Sequence, residues 1–375
     1  MSSPFSYSRF DLPQGWNKRR LGSLLQFRNG QDISDTDIEL ESYPVYGSGG
    51  EFKRTNQYLF DGPSILFGRK GTIDKPLLVN GRFWTVDTMF YTVPGPDVDP
   101  RFVHYWALVA PLSALSTNTA VPSMTSTDLA QLYLAVPPLP TQRAIADYLD
   151  RETAEIDGMR ADLDEMERLL RERRTAFIGS TVRQVSSHGK KVALQSVASI
   201  HAGDTITSSK ITEHGEYHVY GGNGVRGYCD QANQLEDKVL VGRQGALCGN
   251  VHLARGPFYA SEHALVIEPR IDVCLDWLTF VLQDQKLGQL SMSAAQPGIT
   301  ASAVGLQRIE IPPLAEQRRI ADEIDRETTE IDSMLEDITK LRDLLAERRA
   351  AVISAAVTGQ IDIPDSPTDK DEVHA

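Results

Sequence analysis

At 375 residues, 41% of them hydrophobic, the chain has room for two domains of ordinary size, each with its own core. No stretch approaches 18 consecutive apolar residues, and the opening MSSPFSYSRFDLPQGW has no basic segment followed by an apolar run; a membrane span and a secretory signal are excluded as readings, and a cytoplasmic protein is expected. The net charge of −13 is wrong for a uniformly basic polyanion binder, but it is unevenly placed: −1 over residues 1–136, −2 over 137–183, −2 over 184–311 and −8 over 312–375.

Residues 1–136 carry short β-like runs such as SILFGRKG, broken by Gly, Pro and Asn, and a helical stretch at HYWALVAPLSAL. Residues 184–311 read the same way, with KVLVGRQG, HALVIEP and LDWLTFVLQDQ, so both regions are α+β. The glycine-rich stretches at 47–50 and 221–224 read as hairpin turns, since no GxxxxGK[ST] occurs to cradle a phosphate. Each region ends in a Pro-Pro pair, at Pro137 and Pro312, which ends a strand and starts a long helix sharply because proline fixes φ and suits a first helical turn. The expected helices cover 137–183 and 312–358, followed by an acidic tail over 359–375.

The two helical segments are copies. PPLPTQRAIADYLDRETAEIDGMRADLDEMERLLRERRTAFIGSTV, from Pro137, recurs from Pro312 without a gap at an offset of 175, with 25 of 46 positions identical. The duplication reaches back into the preceding regions: YPVYGSGG answers YHVYGGNG, FGRKG answers VGRQG, and AVPSMTSTDL answers AQPGITASAV. One ancestral unit was doubled, at a period far beyond that of solenoid repeats.

A seven-residue period places Leu149, Ile156, Leu163, Leu170 and Phe177 on one line of the first helix, beside Ile145, Glu152, Met159, Met166 and Arg173. The second helix repeats it with Ile324, Ile331, Ile338, Leu345 and Val352 beside Ile320, Glu327, Met334, Leu341 and Arg348. Each seam has Glu early and Arg late. Antiparallel pairing joins Glu152 to Arg348, Arg173 to Glu327, Met166 to Met334 and Leu163 to Ile338, whereas a parallel pair would stack half-buried like charges. An antiparallel coiled coil with pseudo-twofold symmetry is therefore expected. About 44 helical residues at about 1.5 Å each give roughly 66 Å, close to two turns of B-DNA at about 34 Å each.

Little points to catalysis. Cys229, Cys248 and Cys274 form no CxxC pair, so neither a disulfide framework nor a zinc site is indicated, and GxSxG and HExxH are absent. His201, His214, His218, His252 and His263 have no equivalents in the first half. Glycine beside Arg69 and Lys70, or beside Arg243 and Gln244, lets backbone approach a duplex while Arg or Gln contacts base edges; a solvated turn is the alternative reading of either loop.

Taken together, the paired PPLPTQRAIADYLD and PPLAEQRRIADEID openings, the RERRTAFI and AERRAAVI endings, the closing AAVTGQIDI and the YGSGG, YGGNG, FGRKG and VGRQG loops resemble the specificity subunits of type I restriction-modification systems. The resemblance covers nearly the whole chain. It implies two target recognition domains, each reading one part of a split, asymmetric double-stranded DNA sequence, with the helices as spacers. It also implies two methyltransferase partners carrying S-adenosylmethionine and two restriction partners using ATP and Mg²⁺ to translocate DNA, with no cofactor, metal or catalytic residue in this chain. Two near-identical helices offer two equivalent docking surfaces. By position, Tyr46, Ser48, Arg69, Lys70 and Thr125, then Tyr220, Asn223, Arg243, Gln244 and Thr300, become candidates for DNA contact. Where many members have an acidic residue followed by His, the second half reads SEH at 261–263 but the first reads VDT at 86–88, which puts a shared role for His263 in doubt. The rival readings are a fused methyltransferase or nuclease, against which the missing [ND]PP[YF] and cofactor-loop motifs count, and a coiled-coil scaffold that binds only proteins.

Overall fold

The computed structural model describes residues 12–33, 42–116, 122–185, 191–291, 297–361 and 363. Most of the acidic tail expected over 359–375 falls outside the described residues, as do Ala120, Val121, Ala295 and Gln296 at the edges of the matched segments. The chain forms two compact units, residues 1–162 with 340–375, and residues 163–339. Each long helix thus contributes one portion to each unit.

In the first unit the elements run β1 (Asn17–Arg20), β2 (Leu25–Asn29), β3 (Tyr43–Gly47), β4 (Gly50–Thr55), β5 (Phe60–Asp61), β6 (Ser64–Gly68), β7 (Leu77–Val79), β8 (Arg82–Thr85) and β9 (Met89–Pro94). Then come α1 (Pro100–Val109), α2 (Ser126–Gln131), β10 (Tyr133–Val136) and the start of α3 (Leu139–Val185). The strands form two four-stranded sheets, ordered β2-β9-β6-β7 and β4-β3-β8-β5, while β1 pairs with β10. The run SILFG, apolar after its first residue, suits β6, which is buried at every position. Its one polar side chain is satisfied: Ser64 Oγ donates to the Thr92 carbonyl at 2.7 Å. Helix α1 starts where Asp99 accepts from the Arg101 N–H at 2.9 Å, with Pro100 at the first helical position. Its inner face carries Phe102 and Trp106 into a core with Phe67 and Leu129, closed by Ile145 and Leu149 of α3 and by Ile353 and Val357 of the second long helix.

In the second unit the plan recurs: β11 (Lys191–Ala193), β12 (Ala198–Ala202), β13 (Tyr217–Gly221), β14 (Gly224–Cys229), β15 (Lys238–Gly242), β16 (Val251–Ala254), β17 (Tyr259–Ala260) and β18 (Ala264–Pro269). After these come α4 (Leu275–Asp284), α5 (Ala301–Gly305), β19 (Arg308–Glu310) and α6 (Leu314–Val357). The sheet ordered β12-β18-β15-β16 repeats β2-β9-β6-β7, the three-stranded sheet β14-β13-β17 repeats β4-β3-β8 with no strand, among the described residues, in the place of β5, and β11 pairs with β19 as β1 does with β10. In each unit the hairpin's first strand also pairs in parallel with a later strand, β3 with β8 and β13 with β17. The core joins Val239, Val241, Trp277 and Val304 to Ile178 and Val182 of α3 and Ile320 and Ile324 of α6.

A buried glutamine secures the start of each long helix. Gln142 donates to the Pro137 carbonyl at 2.9 Å and accepts from the Asp99 N–H at 2.9 Å. Gln317 does the same with the Pro312 carbonyl at 2.8 Å and the Cys274 N–H at 2.9 Å. Each carboxamide uses both its donor and its acceptor end, and losing one would strand buried partners at a cost of about 1–3 kcal/mol.

The helices pair antiparallel. Within the first unit Arg348 lies 3.6 Å from Glu152, and Arg349 lies 3.3 Å from Asp157. Within the second, Arg173 hydrogen-bonds Glu327 and Arg174 sits 3.4 Å from Asp332. Early positions of α3 thus meet late positions of α6, and late meet early. Leu163 and Leu170 share a cluster with Ile331, Leu335 and Ile338.

The seam is narrower than the heptad pattern implies. Leu149, Ile156, Leu170, Ile324, Ile331 and Ile338 are buried, but the neighbouring column is buried only at Ile145 and Ile320, where the helices enter the two cores, and opens beyond them: Met166 is 51% exposed, Met334 46% and Leu341 48%. Met166 and Met334 therefore do not form a buried layer. The same column carries Glu152, Arg173, Glu327 and Arg348, whose charges stay hydrated only at the rim of the pair.

Candidate nucleic-acid interface

In the first unit three segments converge. The β3–β4 hairpin turns through Ser48 and Gly49. Beside it, Gly71 adopts φ +85°, and a Cβ there would meet Ser48 Oγ at 3.0 Å, so glycine serves both the turn and the close approach. The third segment, before α2, is stitched to this loop: the Gly71 N–H donates to the Pro122 carbonyl at 3.0 Å and the Met124 N–H to the Arg69 carbonyl at 3.0 Å.

Arg69 is half-buried, its backbone N–H donating to the Thr88 carbonyl at 2.7 Å and its Nη1 to the Asp87 carbonyl at 3.4 Å. Its guanidinium lies over the Phe90 ring, 5.9 Å from the centroid. Lys70 is exposed at the tip. Tyr46 is half-buried against Phe83; burial, then the Glu51 carboxylate, push its phenol above the usual value, so it stays a neutral donor. Thr125 caps α2, accepting from the Asp128 N–H at 3.1 Å and donating to its carboxylate at 2.6 Å.

The second unit repeats this frame with other side chains. The Gly245 N–H donates to the Pro297 carbonyl at 3.1 Å and the Ile299 N–H to the Arg243 carbonyl at 2.9 Å. Arg243 donates through its backbone to the His263 carbonyl at 2.8 Å and through Nη1 to the Glu262 carbonyl at 3.4 Å. Tyr220 packs on Phe258, and burial raises its phenol too. Thr300 caps α5, accepting from the Ala303 N–H at 3.1 Å. Here the hairpin and the glycine-arginine loop touch: a Cβ on Gly242 would lie 1.9 Å from the Gly222 carbonyl oxygen. Between them opens a cleft of about 640 Å³ whose polar lining is Asn223, Arg226, Gln244 and His263. Asn223 accepts from Asn250 at 2.7 Å, and His263 Nδ1 lies 3.0 Å from Gln244 Oε1.

Each unit thus brings its five candidates into one region of linked loops, but not in equal roles. Ser48, Lys70, Asn223 and Gln244 are loop-tip groups, while Arg69 and Arg243 brace the loops and Thr125 and Thr300 cap helices. The coiled-coil candidates Glu152, Leu163, Arg173, Glu327, Ile338 and Arg348 all lie along the paired helices. Sequence reasoning missed Arg226 and Phe52, and left a shared role for His263 in doubt. Phe52, 58% exposed next to the first hairpin turn, occupies the position Arg226 holds in the second, a substitution legible by extending the alignment of YGSGG with YGGNG two residues further.

Among the described residues no cluster of His, Cys, Asp or Glu is placed to hold a metal ion, and no helix is long and apolar enough to cross a membrane. What the frame can do is present two different sets of hydrogen-bonding groups from two matching scaffolds. Comparison with known proteins gives the frame its place. The profile described as the type I restriction modification DNA specificity domain matches twice, over residues 13–168 and 188–341. The chain belongs to this family.

Among its relatives, the specificity subunit of the type I restriction enzyme EcoprrI from Escherichia coli is 32% identical over 169 residues, 44% of this chain and 42% of that protein. The EcoDI specificity subunit, also from Escherichia coli, is 22% identical over 170 residues, 44% of this chain and 38% of that protein. The aligned stretches thus span less than half of either relative. A solved structure described as the structural basis of complex assembly and conformational transition of the type I R-M system matches with a TM-score of 0.69, covering 94% of this chain and all of that one at 17% identity. That likeness shows the fold.

Proposed function

We propose that this chain is a non-catalytic specificity subunit that reads a split, asymmetric sequence in double-stranded DNA. The regions 1–136 and 184–311 are its target recognition domains, each reading one half-site, and 137–183 and 312–358 are its spacer helices. The reading is carried by one observation: in both units the glycine-arginine loop and the segment before the short capped helix are joined by the same backbone hydrogen bonds beside the hairpin turn, yet expose different groups, Lys70 in one and Gln244 in the other. A shared frame with exchanged tips is what two readers of different bases require.

The duplicated helices supply two equivalent docking surfaces, for two methyltransferase subunits that bring S-adenosylmethionine and two restriction subunits that bring ATP and Mg²⁺. The acidic balance does not oppose DNA binding, because only −3 of the −13 lies in the two recognition regions.

Gel-shift titration across salt tests the reading. Binding of duplex DNA should weaken as salt rises, with sequence preference persisting at salt where non-specific binding is lost. Absent or salt-insensitive binding would favour a scaffold that contacts proteins alone. Methylation of DNA by the purified chain without added subunits would favour a fused enzyme.

A further inference from the structure

The geometry points to His263 as the positioning residue that fixes which end of the Gln244 carboxamide is offered to DNA. The inference rests on the DNA-reading role proposed above and deepens it. Arginine or lysine donates in any pose, but a carboxamide has a donor end and an acceptor end that exchange on a half-turn about its last bond. A glutamine that reads a base must therefore be held in one sense, or it reads two.

The second unit has the means to hold it. His263 Nδ1 stands 3.0 Å from Gln244 Oε1; with a proton on Nδ1 the ring donates to that oxygen, and the NH₂ is the end left free for the cleft that Gln244 and His263 both line. The ring's other nitrogen lies 3.3 Å from Glu262 Oε1, a contact that pairs charges when the ring carries both protons and so keeps Nδ1 a donor, and the second carboxylate oxygen of Glu262 accepts from the Ile206 N–H at 3.2 Å. Beneath it, the His263 carbonyl accepts from the Arg243 N–H at 2.8 Å, tying the histidine to the loop that carries Gln244.

The first unit supplies the control. Its loop keeps the backbone bond, from the Arg69 N–H to the Thr88 carbonyl at 2.7 Å, but the tip is Lys70 and the histidine position is Thr88. An ammonium needs no orienting neighbour and none is provided by Thr88. Glutamine and histidine therefore appear together in one unit and are replaced together in the other.

The test uses the purified full chain, with any subunits that co-purify, to select duplexes from a randomised pool. Discrimination is read at each base pair for the parent and for His263→Thr, His263→Asn, Gln244→Ala, Gln244→Lys and the double variant His263→Thr/Gln244→Lys. His263→Thr should lower discrimination about 5- to 100-fold at a single base pair, the scale of one good side-chain contact with a base edge, while leaving the rest of the consensus intact. Gln244→Ala should lower it at that same pair. His263→Asn, whose amide can stand where Nδ1 stood, should restore part of the loss, and His263→Thr should have no effect once Gln244 is Lys. Unchanged discrimination in His263→Thr, a loss at a different pair from Gln244→Ala, or an equal loss in the Gln244→Lys background would overturn the assignment. If the parent chain selects no sequence at all, the DNA-reading role itself falls, which is a separate result.

Discussion

The loops at 67–71 and 241–245 occupy the same place in their units and make the same backbone bonds, but they differ in what they need. The first ends in Lys70, a point charge that attracts phosphate or an acceptor edge without regard to orientation. The second ends in Gln244, which carries no charge and depends on direction, and it comes with His263 and a cleft. The hairpins differ in the same sense, exposed Phe52 in one against Arg226 in the other. After a duplication, the hydrogen bonds that shape the backbone are kept, since each is needed to avoid a buried unpaired group, and the tips are free to diverge.

The largest effect expected from breaking this comparison is at Gly242. A methyl group there collides with the Gly222 carbonyl, so Gly242→Ala should lower the stability of the second unit by about 1–3 kcal/mol and abolish reading of one half-site. Denaturant melts together with sequence selection check it, and the other half-site should persist.

Next come the tips themselves. Gln244→Ala should relax one base pair of one half-site by about 1–3 kcal/mol of discrimination and leave the salt slope unchanged, whereas Lys70→Ala should relax a base pair of the other half-site and, by removing a charge, also reduce the salt slope by about one. Binding isotherms at several salt concentrations separate the two.

Acid should affect both units through different histidines. Burial holds His104 and His252 below their ordinary value of 6.5, so folding favours the neutral ring. The folded state then binds fewer protons than the unfolded one; this stability is present above pH 6.5 and is lost progressively as pH falls below it. His104→Gln, which keeps a donor for the Pro76 carbonyl, should flatten the fall in melting temperature between pH 7 and pH 5.5 for the first unit alone.

The smallest effect is on the paired helices. Glu152 and Arg348 meet near the surface, where such pairs contribute about 0–1 kcal/mol. Glu152→Arg should lower the melting temperature slightly and Arg348→Glu should restore it; a failure of rescue would show that the pair does not couple.

Much of this was legible in the sequence, because the helices carry a heptad with Glu and Arg at fixed places, and charge alone selects antiparallel over parallel pairing. The two cores and the hairpin turns followed from apolar runs and glycine placement. The width of the seam did not: Met166 and Met334 keep the heptad period, but period cannot say how far two helices roll toward each other. Gln142 and Gln317 were visible as identities within PPLxxQR, yet only three dimensions reveal the proline carbonyl and the N–H of the residue capping α1 or α4 that they bridge. The contact of His263 with Gln244 was hidden for a related reason, since comparing the copies favours what they share, and the histidine belongs to what they do not.

The most direct test of the whole account is to select bound duplexes with the parent chain and with the double variant Arg243→Ala/Gln244→Ala. Two half-sites should emerge for the parent, and the variant should lose the bases of one while keeping every base of the other. Loss of both together, or of neither, would contradict the claim that each loop reads its own half.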